Sequence, residues 1–571
     1  MQRESRAGRL SDPRSDLGLY LLAATLGVAL LAVLIGWASA AITGLGPGGN
    51  PLGWIVDLAT GAARWSTAAT VVTVLLTILL TAAAAVTARA VLGRGNTSTA
   101  GRVDHLAKSM SHPRDFQGMT MQALRDDAER LGVAPECGPG VPIGKAVNAG
   151  AELGTSWEWT QLWVMGPRAG KTSCLCIPQV LATGGPVLAT SNKRDLLDAT
   201  RGPRSQTGLV RVHDPQALAA TGEPSWWWSP LAYVTDPPRA DEITSLFAAA
   251  TRDANAKTDA YFDTAAQTLV SALLLAAAKG GKTLLDVHTW VRRPDETEAE
   301  DLLVAAGETS AAIDVESSRM KTPKQRDGIY GSAENLLSWL RNPALTPWIT
   351  PGDGRVEFNP EEFVRSKDTL YLLSKEGPGS ARALTASLTV AVTRAAEEFG
   401  IAQGGRLKRP LLCVLDEAAN VCRWPQLPDL YSHYGSRGII LTTYLQSWSQ
   451  GVRVWGKEGM TQMWDAANLR GVGPGIADDQ FAGTISRLVG DHDKQSRSTS
   501  QSMRSGASTS HQLRREKILD VSDISGLPQG RAVALASGTP SILLATQHWG
   551  ELPQADLIRE SVEHYSQAGT S

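Results

Sequence analysis

Residues 162–181 read LWVMGPRAGKTSCLCIPQVL, and no other stretch limits the fold so tightly. An apolar run leads into a Gly/Pro turn, and Gly170-Lys171-Thr172 then opens a helical pattern. A strand that turns on glycine into a helix aims several backbone N–H groups at one point, where an anion is held. The phosphate-loop spacing G-x-x-x-x-G-K-[ST] puts its first glycine at the position of Met165. Gly166, Pro167, Arg168, Ala169, Gly170, Lys171, Thr172 and Ser173 complete the loop. Backbone groups do most of the cradling, so the departure at Met165 weakens the motif without removing its mechanics. The loop predicts ATP as ligand, with Lys171 at the β- and γ-phosphates and Thr172 on Mg2+. A basic turn between strand and helix is the alternative for this segment alone.

A second segment bears on that choice. RPLLCVLDEAANV, residues 409–421, is an apolar run that ends in Asp416-Glu417. Such a run reads as a buried parallel strand, whose carboxyl end is where an open α/β sheet places ligands. Asp416 there can hold Mg2+ through water, and Glu417 can orient and deprotonate the attacking water. An acidic helix cap would explain either residue alone, but not the pair behind a strand in a chain that also carries the Lys-Thr loop. A third strand, GIILTTYLQS at 438–447, ends at Gln446. A glutamine there can sense the γ-phosphate, or it can simply cap the next helix; spacing leaves both readings open.

Residues 17–56 contain no Asp, Glu, Lys or Arg, and neither do residues 66–88. Each run holds the ~20 apolar residues that a spanning helix needs. GLGPGGNP, residues 44–51, breaks the chain between them. Arg3, Arg6, Arg9 and Arg14 precede the first run, and Arg89, Arg94, Arg102 and Lys108 follow the second. The positive-inside rule then puts both termini in the cytoplasm, with a two-helix hairpin in the plasma (inner) membrane. A cleaved signal peptide followed by a buried helix is the competing reading. With 571 residues the chain exceeds one core, and its net charge of −2 announces no global nucleic-acid partner. Five cysteines in such a length exclude a disulfide scaffold.

At these residues the chain resembles the type IV coupling proteins, the TraG/TraD-like DNA translocases of conjugation. The resemblance rests on GPRAGKTS, on WWWSPL at 226–231, on LLCVLDEAANV through LPDLYSHYGSRGIILTTYLQSWSQ, and on ISRLVGDHD. Ser229 stands where the family commonly has Asn. The resemblance implies an α/β, RecA-like P-loop motor interrupted by an all-helical domain and assembled as a homo-hexamer on the membrane. ATP hydrolysis would then drive DNA, single-stranded and held without sequence preference, with its relaxase toward a type IV secretion channel. The Arg-Gly element of the family falls on Arg437, the candidate for an arginine that reaches the next subunit's phosphate; a plain surface arginine is the other reading.

The expected layout is a transmembrane anchor over 1–94, a linker over 95–150, and a motor over 151–235 and 346–555. An inserted helical domain takes 236–345, and a short tail 556–571. Ser-rich, basic KQSRSTSQSMRSGASTSHQLRREK at 494–517 reads as a mobile loop, or as a segment that touches DNA phosphates. GRAVALASGTPSILLA at 530–545 reads as a hairpin. Two further functional readings are an FtsK-like DNA or protein pump, and a nucleotide-binding membrane scaffold that does not hydrolyse.

Overall fold

The computed structural model of the chain describes residues 34–45, 50–78, 101–219, 222–251, 259–352, 354–377, 379–502 and 506–568. Met1–Thr99 and Ala100–Ser571 form separate compact units. In the first unit, helices cover 34–42, Pro51–Ala59 and Thr67–Ile78. The rest of the two uncharged runs, 17–33 and 79–88, lies outside the described residues. Pro51 opens a helix where the sequence suggests only a break, because the missing N–H of proline costs nothing at a first helical position.

The second unit is built on strands β1 (Val141–Ala146), β2 (Glu152–Thr155), β3 (Gln161–Val164), β4 (Val187–Ser191), β5 (Val210–His213), β6 (Trp226–Trp227), β7 (Val356–Glu357), β8 (Thr369–Leu373), β9 (Leu411–Leu415), β10 (Ile439–Leu445), β11 (Leu469–Val472), β12 (Asp491–Ser502), β13 (Gly506–Lys517), β14 (Arg531–Ala536) and β15 (Ile542–Ala545). One 11-stranded sheet runs β2-β1-β15-β14-β11-β3-β10-β9-β4-β8-β5. From β11 to β5 every pairing is parallel; from β11 outward to β2 every pairing is antiparallel. The central parallel strands β3, β4, β8, β9 and β10 are buried along their whole length, as strands covered on both faces are. Their alternation sorts them into two cores: Leu411, Cys413 and Leu415 join one, Leu412 and Val414 the other.

β3 lies between β10 and β11, so the crossover from β10 to β11 passes over it. The chain leaves β3 in the other direction, toward β4. This is the switch point at which an open sheet leaves a crevice past its carboxyl ends.

Between β6 and β7 the regular elements among the described residues are all helices, the first α-helix being Pro237–Thr251 and the last Thr346–Ile349. Among the described residues one helix, Ala260–Lys279, is long and apolar enough to cross a membrane, but Leu269, Leu273 and Ala276 bury it in the core of this unit.

Three expectations are corrected. The segment 95–150 is no linker: it supplies the helix Met121–Arg130 and β1, which pairs with β15 in the main sheet. Pro142 and a bulge at Gly144 break the pattern that would have marked β1 as a strand. The segment 556–571 is no tail, since the helix Ala555–Ala568 packs on Asp195–Ser205. There Ser561 Oγ accepts from Gly202 N at 3.0 Å and donates to Asp198 O at 2.5 Å. The Ser-rich stretch forms an antiparallel ribbon, β12 with β13, paired from Asp491–Lys517 to Ser502–Gly506; backbone pairing does not require apolar residues.

One buried cation ties helix to sheet. Arg204 is 1% exposed. Its guanidinium donates to Thr369 Oγ1 (2.7 Å), Gly185 O (2.8 Å), Lys367 O (3.0 Å) and Thr183 O. Removing it strands four acceptors away from water. Arg204→Ala is expected to destabilise the fold by about 3 kcal/mol or more, read as a fall in the urea unfolding midpoint.

Candidate functional site

β3 delivers its carboxyl end beside β10, where Met165 N donates to Leu445 O at 3.0 Å. The next residues must turn sharply, and Arg168 (φ 57°) and Gly170 (φ +86°) adopt left-handed backbone to do so. Cys174 N returns to Gly170 O at 2.8 Å, and a π-helical turn over Thr172–Cys176 begins the helix that continues through Ile177–Leu181. Pro167 and Arg168 face solvent, and Ala169 is buried. The amino end of a helix thus stands over the crevice, as phosphate binding requires.

The unusual Met165 has a structural explanation. Its side chain is fully buried, and a Cβ on Gly473 would lie 2.4 Å from its terminal methyl. The close backbone approach falls one residue later: a Cβ on Gly166 would lie 2.5 Å from Gly475 O, and Gly166 N donates to Pro474 O at 2.8 Å. Glycine is therefore required at 166, against Gly475 backbone, and favoured at 475 by its φ of +82°, while Gly473 makes room for the Met165 side chain. The cluster GVGPG at 471–475 was the available sequence signal for this, and it was missed.

Lys171 Nζ lies 3.1 Å from Met165 O, 3.4 Å from Gly166 O and 3.4 Å from Glu417 Oε1. Thr172 Oγ1 donates to Asp416 Oδ2 at 2.9 Å. Glu417 sits just past β9 with φ +56°, a left-handed conformation unusual for a side chain of this size. Its Oε2 accepts from Gln446 Nε2 at 2.8 Å, and Gln446 N donates to Gln450 Oε1 at 2.9 Å. Asn420 Nδ2 also approaches Glu417 Oε2, at 3.4 Å. Thr190 Oγ1 on β4 fixes the Asp416 carbonyl at 3.1 Å. The loop residues, Lys171, Thr172, Asp416, Glu417 and Gln446 thus gather at one place.

Arg437 does not join them. It stands in the turn Gly435–Arg437 at the amino end of β10, with the roughly 20 Å length of the strand between it and the Gln446 end. There it is ion-paired with the buried Glu397. Asn420 and Gln450 were also missed in the sequence; ordinary polar residues after a strand carry no signal of their own.

Asp416 tests whether a divalent cation fits. It is 3% exposed, and its Oδ1 is buried without a hydrogen-bond partner. Burial, and then the neighbouring Glu417 charge, push its carboxyl up to about 6, against Lys171 and the Thr172 hydrogen bond. An orphaned carboxylate oxygen beside a hydroxyl suits Mg2+, which takes one or two protein ligands and completes its shell with phosphate and water.

Sheet, loop and carboxylate pair together define a P-loop nucleotide-binding fold. Residues 410–529, which hold β9 to β13, match the family model for the TraM recognition site of TraD and TraG. The chain is similar in structure to the bacterial conjugative coupling protein TrwBdeltaN70 in its unbound form. That match has TM-score 0.54 and 15% identity, and covers 75% of this chain and 93% of that one. It is similar also to plasmid coupling protein TrwB in complex with ADP and Mg2+ (TM-score 0.52, 15% identity, 71% and 90% covered). A third similar structure is TrwB with a non-hydrolysable ATP analogue (TM-score 0.51, 15% identity, 69% and 87% covered). Comparison with curated protein sequences gives no match. The chain has the α/β fold of the conjugative coupling proteins.

Two expectations follow. The raised carboxyl of Asp416 favours the folded state below its unfolded value of 3.8, and that contribution is lost as pH rises through about 6. Cation binding has the opposite sign, because it needs the ionised form. Mg2+ affinity, measured by titration calorimetry, should weaken about tenfold from pH 7.5 to pH 5, and Asp416→Asn should bind weakly at both. At the loop, Gly473→Ala should lower the thermal midpoint, because its Cβ would meet the buried Met165 side chain.

Proposed function

We propose that the chain is a membrane-anchored, ATP-driven DNA translocase, a type IV coupling protein that delivers conjugative DNA with its relaxase to a type IV secretion channel. The observation that carries this reading is the convergence of Lys171 and Thr172 with Asp416, Glu417 and Gln446 at the crevice of a coupling-protein fold. The match of residues 410–529 to a TraM recognition site supports a conjugation partner of that kind. The uncharged runs at 17–56 and 66–88 support the membrane anchor, and the helical stretch from Pro237 to Ile349 favours a coupling protein over an FtsK-like pump. A homo-hexamer, the channel, and single-stranded DNA held through its phosphates complete the reading. The ribbon β12–β13 is the segment offered for that grip, since no Asp or Glu lies between Asp493 and Glu516.

The residues divide the work. Backbone N–H groups of Arg168–Ser173 bind the phosphates. Thr172 and Asp416 would hold Mg2+, which neutralises charge on the transferring phosphate. Lys171 now lies against Glu417 and two loop carbonyls; arriving phosphate offers it stronger partners and draws it off. Glu417 Oε1 is then free to accept the proton of the attacking water while Gln446 keeps Oε2 in place. Gln446 thereby links the γ-phosphate to the helix Trp448–Ala466.

The test is ATPase activity of the detergent-solubilised full chain with and without single- and double-stranded DNA, at two salt concentrations. DNA should stimulate hydrolysis, and stimulation should fall steeply with salt. Lys171→Ala should lose nucleotide binding. Glu417→Gln should bind ATP yet hydrolyse it about 100-fold more slowly. ATP binding without hydrolysis in the unmodified chain would instead establish the scaffold reading.

A further inference from the structure

Another carboxylate stands on the same edge of the sheet. Glu376 belongs to the short segment between β8 and the helix Arg382–Ala402. Its Oε1 accepts from Asn420 Nδ2 at 2.5 Å and from Asn192 Nδ2, just past β4, at 3.2 Å. Asn420 lies on the helical turn that begins after Glu417, and the same Nδ2 is 3.4 Å from Glu417 Oε2. An amide nitrogen carries two hydrogens, so one can face each carboxylate.

The orientation of that amide matters. Asn420 offers nitrogen on one side and carbonyl oxygen on the other, and only the nitrogen attracts Glu417. An acceptor at Glu376 decides which end is presented. Without it the amide can turn, and its carbonyl would then repel the Glu417 carboxylate. The Glu417 backbone is already fixed in its left-handed conformation, so the direction of the side chain depends on Lys171 at Oε1 and on the Gln446 and Asn420 amides at Oε2.

The Glu376 side chain is exposed, and its segment is tied down through neighbouring backbone groups. Gln216 clamps both ends of its segment: Oε1 accepts from Lys375 N at 2.8 Å and from Ala381 N at 3.4 Å, and Nε2 donates to Gly379 O at 3.3 Å. Asn342, at the end of the helical stretch, donates to the same Gly379 carbonyl at 3.1 Å. The chain of contacts therefore reaches from the helical stretch to the carboxylate that faces the nucleotide.

We infer that Glu376 is a positioning residue for ATP hydrolysis: it fixes the Asn420 amide with nitrogen toward Glu417 and so aims the Glu417 carboxylate at the site. The inference rests on the ATPase reading above. It is tested on the full chain by comparing kcat, KM and the affinity for a non-hydrolysable ATP analogue in wild type, Glu376→Ala, Glu376→Gln, Asn420→Ala and the Glu376→Ala/Asn420→Ala double variant. A structure of the Glu376→Ala variant accompanies the kinetics. Glu376→Ala should lower kcat about tenfold while KM and analogue affinity change less than about twofold. Glu376→Gln should restore activity, because its amide oxygen still accepts from Asn420. The double variant should be no slower than Asn420→Ala, the mark of two residues acting in series. Wild-type kcat in Glu376→Ala, equal damage in Glu376→Gln, or multiplying losses in the double variant would overturn the inference. A wild-type chain that hydrolyses no ATP would refute the ATPase reading instead. The variant's structure then decides alone: a Glu417 carboxylate still seated on Gln446 and Asn420 overturns the positioning role, and its departure upholds it.

Discussion

Two adjacent carboxylates, Asp416 and Glu417, leave water together at the end of β9, and the surrounding architecture is arranged around that fact. Both are nearly fully buried. Burying like charges side by side is costly unless each finds partners. Thr172 and the β4 hydroxyl Thr190 serve Asp416, one on its carboxylate and one on its carbonyl. Lys171, Gln446 and Asn420 serve Glu417. These partners come from four strand ends, so the sheet must hold β3, β4, β9 and β10 side by side before the pair can exist. The strand order β3-β10-β9-β4 meets that demand. It also explains why residues far apart in sequence, at 171, 416 and 446, meet at one crevice.

Much of this was legible in the sequence, and the reasons are local. The Lys-Thr loop and Asp416-Glu417 announce themselves because each joins an apolar run to a chemistry that its neighbours do not share. Gln446 was visible as the polar end of a strand. Glu376, Asn420 and Gln450 were not, because their meaning comes only from adjacency across the sheet. β1 hid behind Pro142 and the bulge at Gly144, and the closing helix Ala555–Ala568 hid in an ordinary polar stretch. The ribbon β12–β13 was read as a mobile loop because composition describes side chains, whereas pairing is a property of backbone. Arg437, expected to reach a neighbouring subunit's phosphate, lies at the amino end of β10 away from its own chain's site and pairs there with Glu397.

The loop illustrates what a motif encodes. A conserved-looking glycine marks a place where backbones approach too closely for a Cβ, and that place depends on the neighbouring strand as much as on the loop. Here the approach is at Gly166 against Gly475, and Met165 fills the space that Gly473 leaves open. The absent first glycine is thus matched by glycines after β11, which argues against reading Met165 as decay of the site.

The cluster also explains how a buried cation can change partners without being stranded. Lys171 holds two loop carbonyls and Glu417 within 3.4 Å, so the ammonium is never bare in a low-dielectric pocket. Phosphate brings negative charge to the same point. In the proposed reaction Lys171 would then leave Glu417 while Gln446 and Asn420 remain on the carboxylate and keep its direction. Removing either amide would let Glu417 follow Lys171 toward the phosphates. On the proposed function, the polar residues behind the site would let the Lys171–Glu417 ion pair open when phosphate arrives and leave an oriented base behind.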